Sequence, residues 1–382
     1  MRDVVVIGGG PAGCAAAITL ARSGRAPLLL ERDAVPGEKV CGEFLAADAA
    51  AGLSALGLDL RELSAVPISR VAIAAGRRDA ALPLPFAAWG LPRATLDAAL
   101  LARAKNAGAE VLLGSAVTEV RATSPLPLHG RGRDPLGAAE WEGEGRATSE
   151  AAPWTLRLNT GATLEARTLI LATGKHELRG ASRGTRNGAI GVKLPLDDVP
   201  IEATIALLAC PGGYAGLQPR PGGGANLCAL DPRAPGVKDA ARDATAFLHH
   251  VMRGSDLAER LLRDAAPLLA KPMTVANVPY GYVVRGGPSH LFRTGDQASV
   301  IPSFCGDGVA MALASGRRAA EAILAGHTAT VHHAAWANSV NGAMRLAGVL
   351  GALVNRAPGL LVTGAKIAPR LATWAARRTR TT

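Results

Sequence analysis

The sequence predicts an α/β protein built on a Rossmann-like parallel sheet, and three separated stretches predict it. Asp3 to Ile7 is an apolar run entering Gly8-Gly9-Gly10-Pro11-Ala12-Gly13. Thr168 to Ala172 is a second continuous apolar run, closed by Thr173-Gly174. Pro302-Ser303-Phe304-Cys305-Gly306-Asp307-Gly308 is a glycine-rich loop leading into a helical segment. Uninterrupted apolar strands imply burial on both sheet faces, and a glycine loop between strand and helix is where such sheets hold phosphates.

The first unit carries the most chemistry. After the glycines, Cys14 to Ser23 is alanine-rich and helical, Gly24 stops it, and Pro27 to Leu30 forms a strand ending at Glu31. Gly8 permits the tight turn, Gly10 lets backbone approach a pyrophosphate, and Gly13 allows close helix–strand packing. The helix N-terminus offers N–H groups and positive partial charge to phosphate. Glu31, about twenty residues beyond, suits a ribose hydroxyl. The unit therefore reads as an adenine dinucleotide site.

A loop from Arg32 to Glu43 follows, and Ala46 to Leu56 has helical composition. Ile68 to Ala75 and Ala80 to Leu84 read as short strands, the second closed by prolines. Arg93 opens a helix over Ala94 to Asn106, stopped at Gly108. Strands are expected at Ala109 to Leu113 and Ala116 to Ala122, then an exposed insertion over 124–153 rich in Gly, Pro, Arg and Glu. Strands return at Trp154 to Leu158, Thr163 to Ala166 and Thr168 to Ala172. From Gly180 to Arg285 mixed strands surround two helical patches, Ala240 to Met252 and Asp256 to Leu269. Leu291 to Arg293 rejoins the first sheet, Gly308 to Leu324 is a long helix, and the last fifty residues are helical with glycine interruptions. The expected organisation is a nucleotide-binding domain at 1–180, a mixed β-sheet substrate domain at 181–288, a return at 289–330, and a helical C-terminus at 331–382.

Composition limits the function classes. The net charge of +11 comes from 42 basic residues against 31 acidic ones, but aromatic residues make up only 3% and no basic–aromatic interleaving occurs, so nucleic acid binding is not expected. Cys14, Cys41, Cys210, Cys228 and Cys305 are scattered without a CxxC, which argues against a zinc or iron–sulfur site. His249-His250 and His332-His333 lie in helical segments, where adjacent side chains diverge, so no metal site is expected there. With a nucleotide fingerprint from residue 3 and no run of eighteen apolar residues, a cytoplasmic location is expected. The basic end, Arg370 to Arg380, is a candidate for peripheral membrane contact.

Taken in order, GGGPAG at 8–13, Glu31, KVCGE at 39–43, Arg93, LATG at 171–174, GD at 295–296 and PSFCGDG at 302–308 resemble the flavin monooxygenase-like superfamily with the p-hydroxybenzoate hydroxylase fold. The likeness is closer to its geranylgeranyl reductase-like branch. The resemblance implies an FAD-dependent oxidoreductase. Gly8, Gly10, Pro11, Ala12 and Gly13 would hold the pyrophosphate, and Glu31 with Arg32 the adenosine ribose side. Lys39, Cys41 and Gly42 would lie along the cofactor, with Arg93 near its phosphates or flavin and Val117 meeting adenine through backbone. Thr173 and Gly174 would close the second strand, and Gly295 and Asp296 would meet pyrophosphate and ribityl oxygens. Pro302, Gly306, Gly308, Val309 and Ala310 would surround the flavin. Thr173-Gly174 stands where aromatic hydroxylases carry Asp-Gly, which weakens any expectation of direct NADPH binding. The halogenase Trp-x-Trp-x-Ile-Pro signature is absent, and Gly213 to Pro219 is an altered form of the reductases' Tyr-x-Trp-x-Phe-Pro motif.

The expected reaction is hydroxylation of an aromatic or lipid-like small molecule using NADH or NADPH and oxygen. Reduction of a carbon–carbon double bond is the second reading, and a non-catalytic flavin carrier the third. Cys41 is a candidate proton donor under the reductase reading, or else a small side chain beneath the flavin. Tyr214 and Gln218 are candidates for the substrate pocket, or ordinary sheet residues.

Overall fold

The computed structural model of the chain describes residues 1–123, 153–185, 188–231 and 239–380. The expected insertion at 124–153 lies outside the described residues except for Pro153. The chain runs β1 (Arg2–Ile7), α1 (Pro11–Arg22), β2 (Leu28–Leu30), β3 (Phe44–Ala46), α2 (Ala47–Ala55), β4 (Val66–Ala75), β5 (Arg78–Gly90) and α3 (Arg93–Asn106). Next come β6 (Glu110–Leu112), β7 (Val117–Ala122), β8 (Trp154–Leu158), β9 (Thr163–Leu171), β10 (Ala189–Asp197), β11 (Thr204–Cys210), β12 (Gly213–Pro219) and β13 (Ala225–Asp231). The last part holds α4 (Ala244–Met252), α5 (Asp256–Leu262), β14 (Ala266–Pro267), β15 (Met273–Val278) and β16 (Leu291–Arg293), then α6 (Gly308–Leu324), α7 (Ala329–Arg356), α8 (Pro358–Ile367) and α9 (Pro369–Arg378).

These elements form two sheets. The first has the order β6-β2-β1-β9-β8-β7, with β16 also on β9; β1 is parallel to β2 and β9, as the Rossmann-like reading requires. Val5, Val6, Leu29, Ile170 and Leu171 are all buried here. Thr163 to Leu171 is one strand, not two. Its first half pairs antiparallel with β8 and its second half parallel with β16, and the change of neighbour accounts for the apparent break near Arg167. Helices α1 and α6 cross closely against this sheet because they meet at small residues. A Cβ on Gly316 would lie 2.0 Å from the Ala12 carbonyl oxygen, and one on Gly13 1.9 Å from that of Gly8.

The second sheet corrects the expected domain boundary. Its order is β14-β10-β13-β12-β11-β4-β5-β3, so residues 44–46 and 66–90, assigned to the nucleotide domain by chain order, hydrogen-bond into the substrate sheet. Strand β5 does not stop at its prolines. Pro83 lies opposite Arg70 where the register with β4 shifts, and the strand continues to Gly90; proline is tolerated at such irregular places. The second helical patch ends at Leu262, and Pro267 pairs with Leu196 of β10 instead of continuing it. Helix α7 runs 28 residues through Gly342, Gly348 and Gly351, because tertiary packing holds it: Trp336, Val340 and Ala347 are buried against Met311 and Ile301.

Candidate functional site

One continuous cavity of ≈ 570 Å³ runs from the glycine loops of the first sheet across the face of the second and beneath α7–α9. At its first-sheet end, the glycines divide into two kinds. Gly8 has φ +109° and its Cβ would sit 2.4 Å from the Ala172 carbonyl oxygen, so this turn admits no side chain. Gly10, by contrast, has only the Arg93 Nη2 near a would-be Cβ, at 3.6 Å, and Gly42, Gly174 and Gly308 have nothing within 4 Å. These four positions are bare backbone facing open space, the cradle that a bound dinucleotide fills.

Two helix N-termini point into the same cradle. Neither Gly10, before α1, nor Asp307, before α6, makes a side-chain cap bond, so the first-turn N–H groups of both helices are left for a ligand. Pro11, Ala12, Val309 and Gly306 join the cavity wall there. Ala310 is buried behind it. The remainder of the glycine fingerprint is held from below: Glu31 Oε2 accepts the Gly9 N–H at 2.6 Å, and Oε1 that of Asp33 at 3.0 Å. The carboxylate expected at a ribose thus also braces the loop. Ser115 N–H bonds the Glu31 carbonyl, which places Val117, the first residue of β7, two residues from that strand tip and not in the cavity wall. Arg32 and Lys39 both pair with Asp33 beside this end.

Arg93 sits where the phosphates are expected. Its guanidinium is clamped by Asp97 at 2.9 and 2.8 Å and borders Cys41 and Gly10. Burial disfavours the charge, but the Asp97 carboxylate more than offsets this and keeps the group cationic. Gly295 and Asp296 line the cavity opposite. Lys175, which the sequence gave no reason to single out, lies 3.2 Å from Asp296, and Arg183 Nη1 donates to the Asp296 carbonyl at 2.7 Å. Thr173 Oγ1 donates instead to the His176 carbonyl, and Pro302 packs toward Gly351 of α7 rather than into the cavity. His333 Nε2 accepts the Arg293 N–H at 2.9 Å, a structural role, and burial lowers its pKa to about 3.

The substrate candidates converge with the cradle. Tyr214 and Gln218, both on β12, line the cavity. Tyr214 O–H pairs with Ser303 Oγ at 2.5 Å and accepts the Phe304 N–H at 2.9 Å, so it fastens the PSFCGDG loop to the second sheet. Gln218 is buried, and its Oε1 has no protein partner. Cys41 lines the wall between cradle and substrate sheet; the Cys228 thiol and the Asn226 amide both donate to its carbonyl at 3.0 Å. A second connection was not legible in the sequence. Buried Lys193 on β10 reaches across to Glu43 Oε1 at 2.5 Å and to Glu38, joining the KVCGE loop to the substrate sheet.

The rest of the cavity is mostly apolar, with Thr373, Thr379 and Arg380 the polar side chains of its C-terminal wall. Val71, Ile73 and Leu82 of β4 and β5 form its floor, and Leu350, Leu361 and Ala372 of the C-terminal helices form its roof. The result is a polar, bare-backbone cradle opening into a long greasy arm.

Fold and cradle define an FAD-dependent oxidoreductase. The chain belongs to the pyridine nucleotide-disulphide oxidoreductase family, whose model matches residues 2–199, and its likeness to the geranylgeranyl reductase-like branch is borne out by relatives. It is 30% identical over 338 residues to digeranylgeranylglycerophospholipid reductase 2 of Methanopyrus kandleri, covering 84% of this chain and 76% of that one. It is 28% identical over 357 residues to menaquinone reductase of Mycolicibacterium smegmatis, covering 87% and 79%. Among solved structures, the flavin-dependent brominase Bmp2 superposes with a TM-score of 0.75 at 18% identity, covering 99% of this chain and 93% of that one. A geranylgeranyl bacteriochlorophyll reductase-like protein from Thermoplasma acidophilum superposes with a TM-score of 0.70 at 20% identity, covering 100% and 92%.

Proposed function

We propose that this enzyme reduces a carbon–carbon double bond in an isoprenoid-type lipid, with NADH or NADPH as transient reductant. The observation that carries this reading is the apolar arm between the second sheet and α7–α9, continuous with the cofactor cradle. A hydroxylase of small aromatic acids or phenols needs a short pocket with a base to ionise its substrate. Here the arm is walled by Val71, Ile73, Leu82, Leu350 and Leu361, side chains that bury a flexible hydrocarbon chain at about 0.8 kcal/mol per CH₂. This reading places reduction ahead of the hydroxylation of an aromatic or lipid-like molecule that family analogy put first. The reductase relatives in M. kandleri and M. smegmatis support the same class.

Held in the cradle and first reduced by NADH or NADPH, FAD would supply the hydride, while the protein would supply position, dryness and the proton. The free first-turn N–H groups of α1 and α6, with Arg93, would hold the cofactor's negative charge. The apolar arm would align the lipid chain and exclude water. Cys41, at the junction, would hold the proton that the second carbon of the reduced bond takes up.

The test is anaerobic. The holoprotein is reduced with dithionite, freed of excess, and mixed with detergent-dispersed menaquinone or a geranylgeranyl lipid. Flavin reoxidation that rises with lipid concentration is expected, with a product whose two added hydrogens lie on an isoprenoid double bond and persist after exposure to air. Reoxidation indifferent to lipid, with an oxygenated product once air is admitted, overturns the reading.

A further inference from the structure

The outer surface of the C-terminal helices is unusual in composition, and its two faces separate cleanly. On α9, Arg370, Leu371, Trp374, Arg377 and Arg378 are exposed and fall on one arc of the helix, whereas Ala372, Ala375 and Ala376 turn inward to line the cavity. On α8, Leu360, Gly364 and Ile367 face out at helical spacing, while Val362 and Ala365 are buried against Ala80 of β5. On α7, Arg345, Val349, Ala352 and Arg356 form one exposed stripe. The exposure is large: Val349 is 70% exposed, Leu360 66%, Ile367 79%, Leu371 62% and Trp374 50%. Large apolar side chains concentrated in this way mark an interaction surface.

Charge decides the partner. From residue 322 to the end there is no Asp or Glu, whereas Arg345, Arg356, Lys366, Arg370, Arg377, Arg378 and Arg380 are basic. Arg378 lies over the Trp374 ring at 5.8 Å, a cation and an aromatic group placed together at the rim. Apolar residues ringed by arginine, with tryptophan among them, match the headgroup boundary of an anionic bilayer. No single helix among the described residues is long and apolar enough to cross a membrane, and α7 with α8 reaches that length only across a bend of 112°.

The cavity opens at this surface. Leu360 and Leu371 are both exposed to solvent and part of the cavity wall. We propose that the outer faces of α7–α9 dock on an anionic phospholipid bilayer and set the mouth at Leu360 and Leu371 against its acyl region, so that an apolar chain enters without crossing water. Docking stands on the surface alone; chain entry rests on the reductase reading.

The test uses the full-length FAD-loaded protein and vesicles of phosphatidylcholine with or without phosphatidylglycerol. Sedimentation with the anionic vesicles is expected, weakening as salt rises. Arg370→Gln, Arg377→Gln and Arg378→Gln combined are expected to weaken it about a hundredfold. Ile367→Glu with Trp374→Glu is expected to abolish binding while turnover of detergent-dispersed lipid persists, because neither side chain lines the cavity. Should the glutamate pair lower the melting temperature, the arginine triple, all at exposed positions, carries the test. Absence of sedimentation, equal binding to neutral vesicles, or a lipid-free dimer that buries Trp374 overturns the proposal. Turnover without vesicle binding sinks docking alone, and vesicle binding without anaerobic turnover sinks the reductase reading alone.

Discussion

Lys193→Met tests whether a buried ion cluster joins the two halves of the site. The Lys193 side chain is fully buried and Glu43 is 1% exposed, while Glu38 reaches solvent. Burial works against the ammonium, but attraction to Glu43 and hydrogen bonds to both carboxylates carry its pKa above the ordinary value. Burial pushes the Glu43 carboxyl up, with Lys193 offsetting part of the effect. Methionine keeps the volume and removes the charge, leaving Glu43 in an apolar site with the Arg93 N–H as donor. Losing one partner of a buried pair costs about 3–5 kcal/mol near neutral pH.

The sign of the pH dependence follows. In the variant the folded pKa of Glu43 rises further above its unfolded value of about 4.3. Stability is then fullest below that value and falls by about 1.4 kcal/mol per pH unit up to the folded pKa. Urea midpoints of the apoprotein, followed by circular dichroism at about pH 5 and about pH 8, should therefore lie much closer to wild type at the lower pH. Adding Glu43→Gln should remove the difference between the two conditions. A loss below about 1 kcal/mol that is the same at both pH values would refute the assigned role of the cluster.

Two glycines on one helix should separate cofactor binding from folding. Gly308→Ala adds a methyl group in open space and should leave apoprotein melting unchanged while releasing FAD on gel filtration; Gly316→Ala collides with the Ala12 carbonyl and should lower the melting temperature in both forms. Tyr214→Phe removes the acceptor for the Phe304 N–H and should cost about 1–3 kcal/mol, read by thermal denaturation, with a blurred flavin spectrum as the loop loosens. Arg380 Nη1 lies 3.2 Å from Asp307 Oδ1 and its guanidinium stands 4.1 Å from the Phe86 ring. Arg380→Gln should free α9, so that trypsin cuts at Arg377 and Arg378 faster than in the wild type.

How legible the site was depends on how local its signals are. Gly8, Gly10, Gly13 and Glu31 could be read because their spacing is set by one turn and one helix. The helix starting at Gly308 was legible for the same reason. Lys175, in the turn after β9, and Lys193, on β10, were invisible, since a lysine carries no mark of an acid that folding brings to it. The partner of Lys193 lies 150 residues away. Gly316 carried no signal either, since the Ala12 carbonyl it meets belongs to another helix.

By itself, then, the sequence determined the strand–glycine–helix unit, the parallel sheet around it and the class of cofactor, because hydrogen-bonding period and turn chemistry act over a few residues. Only the tertiary structure decided that residues 66–90 belong to the second sheet, that α7–α9 roof a long apolar arm, and that Leu360 and Leu371 stand at its mouth. Those outcomes depend on which apolar faces pack together across the whole chain. Burial is non-directional, so no local spacing encodes its partner.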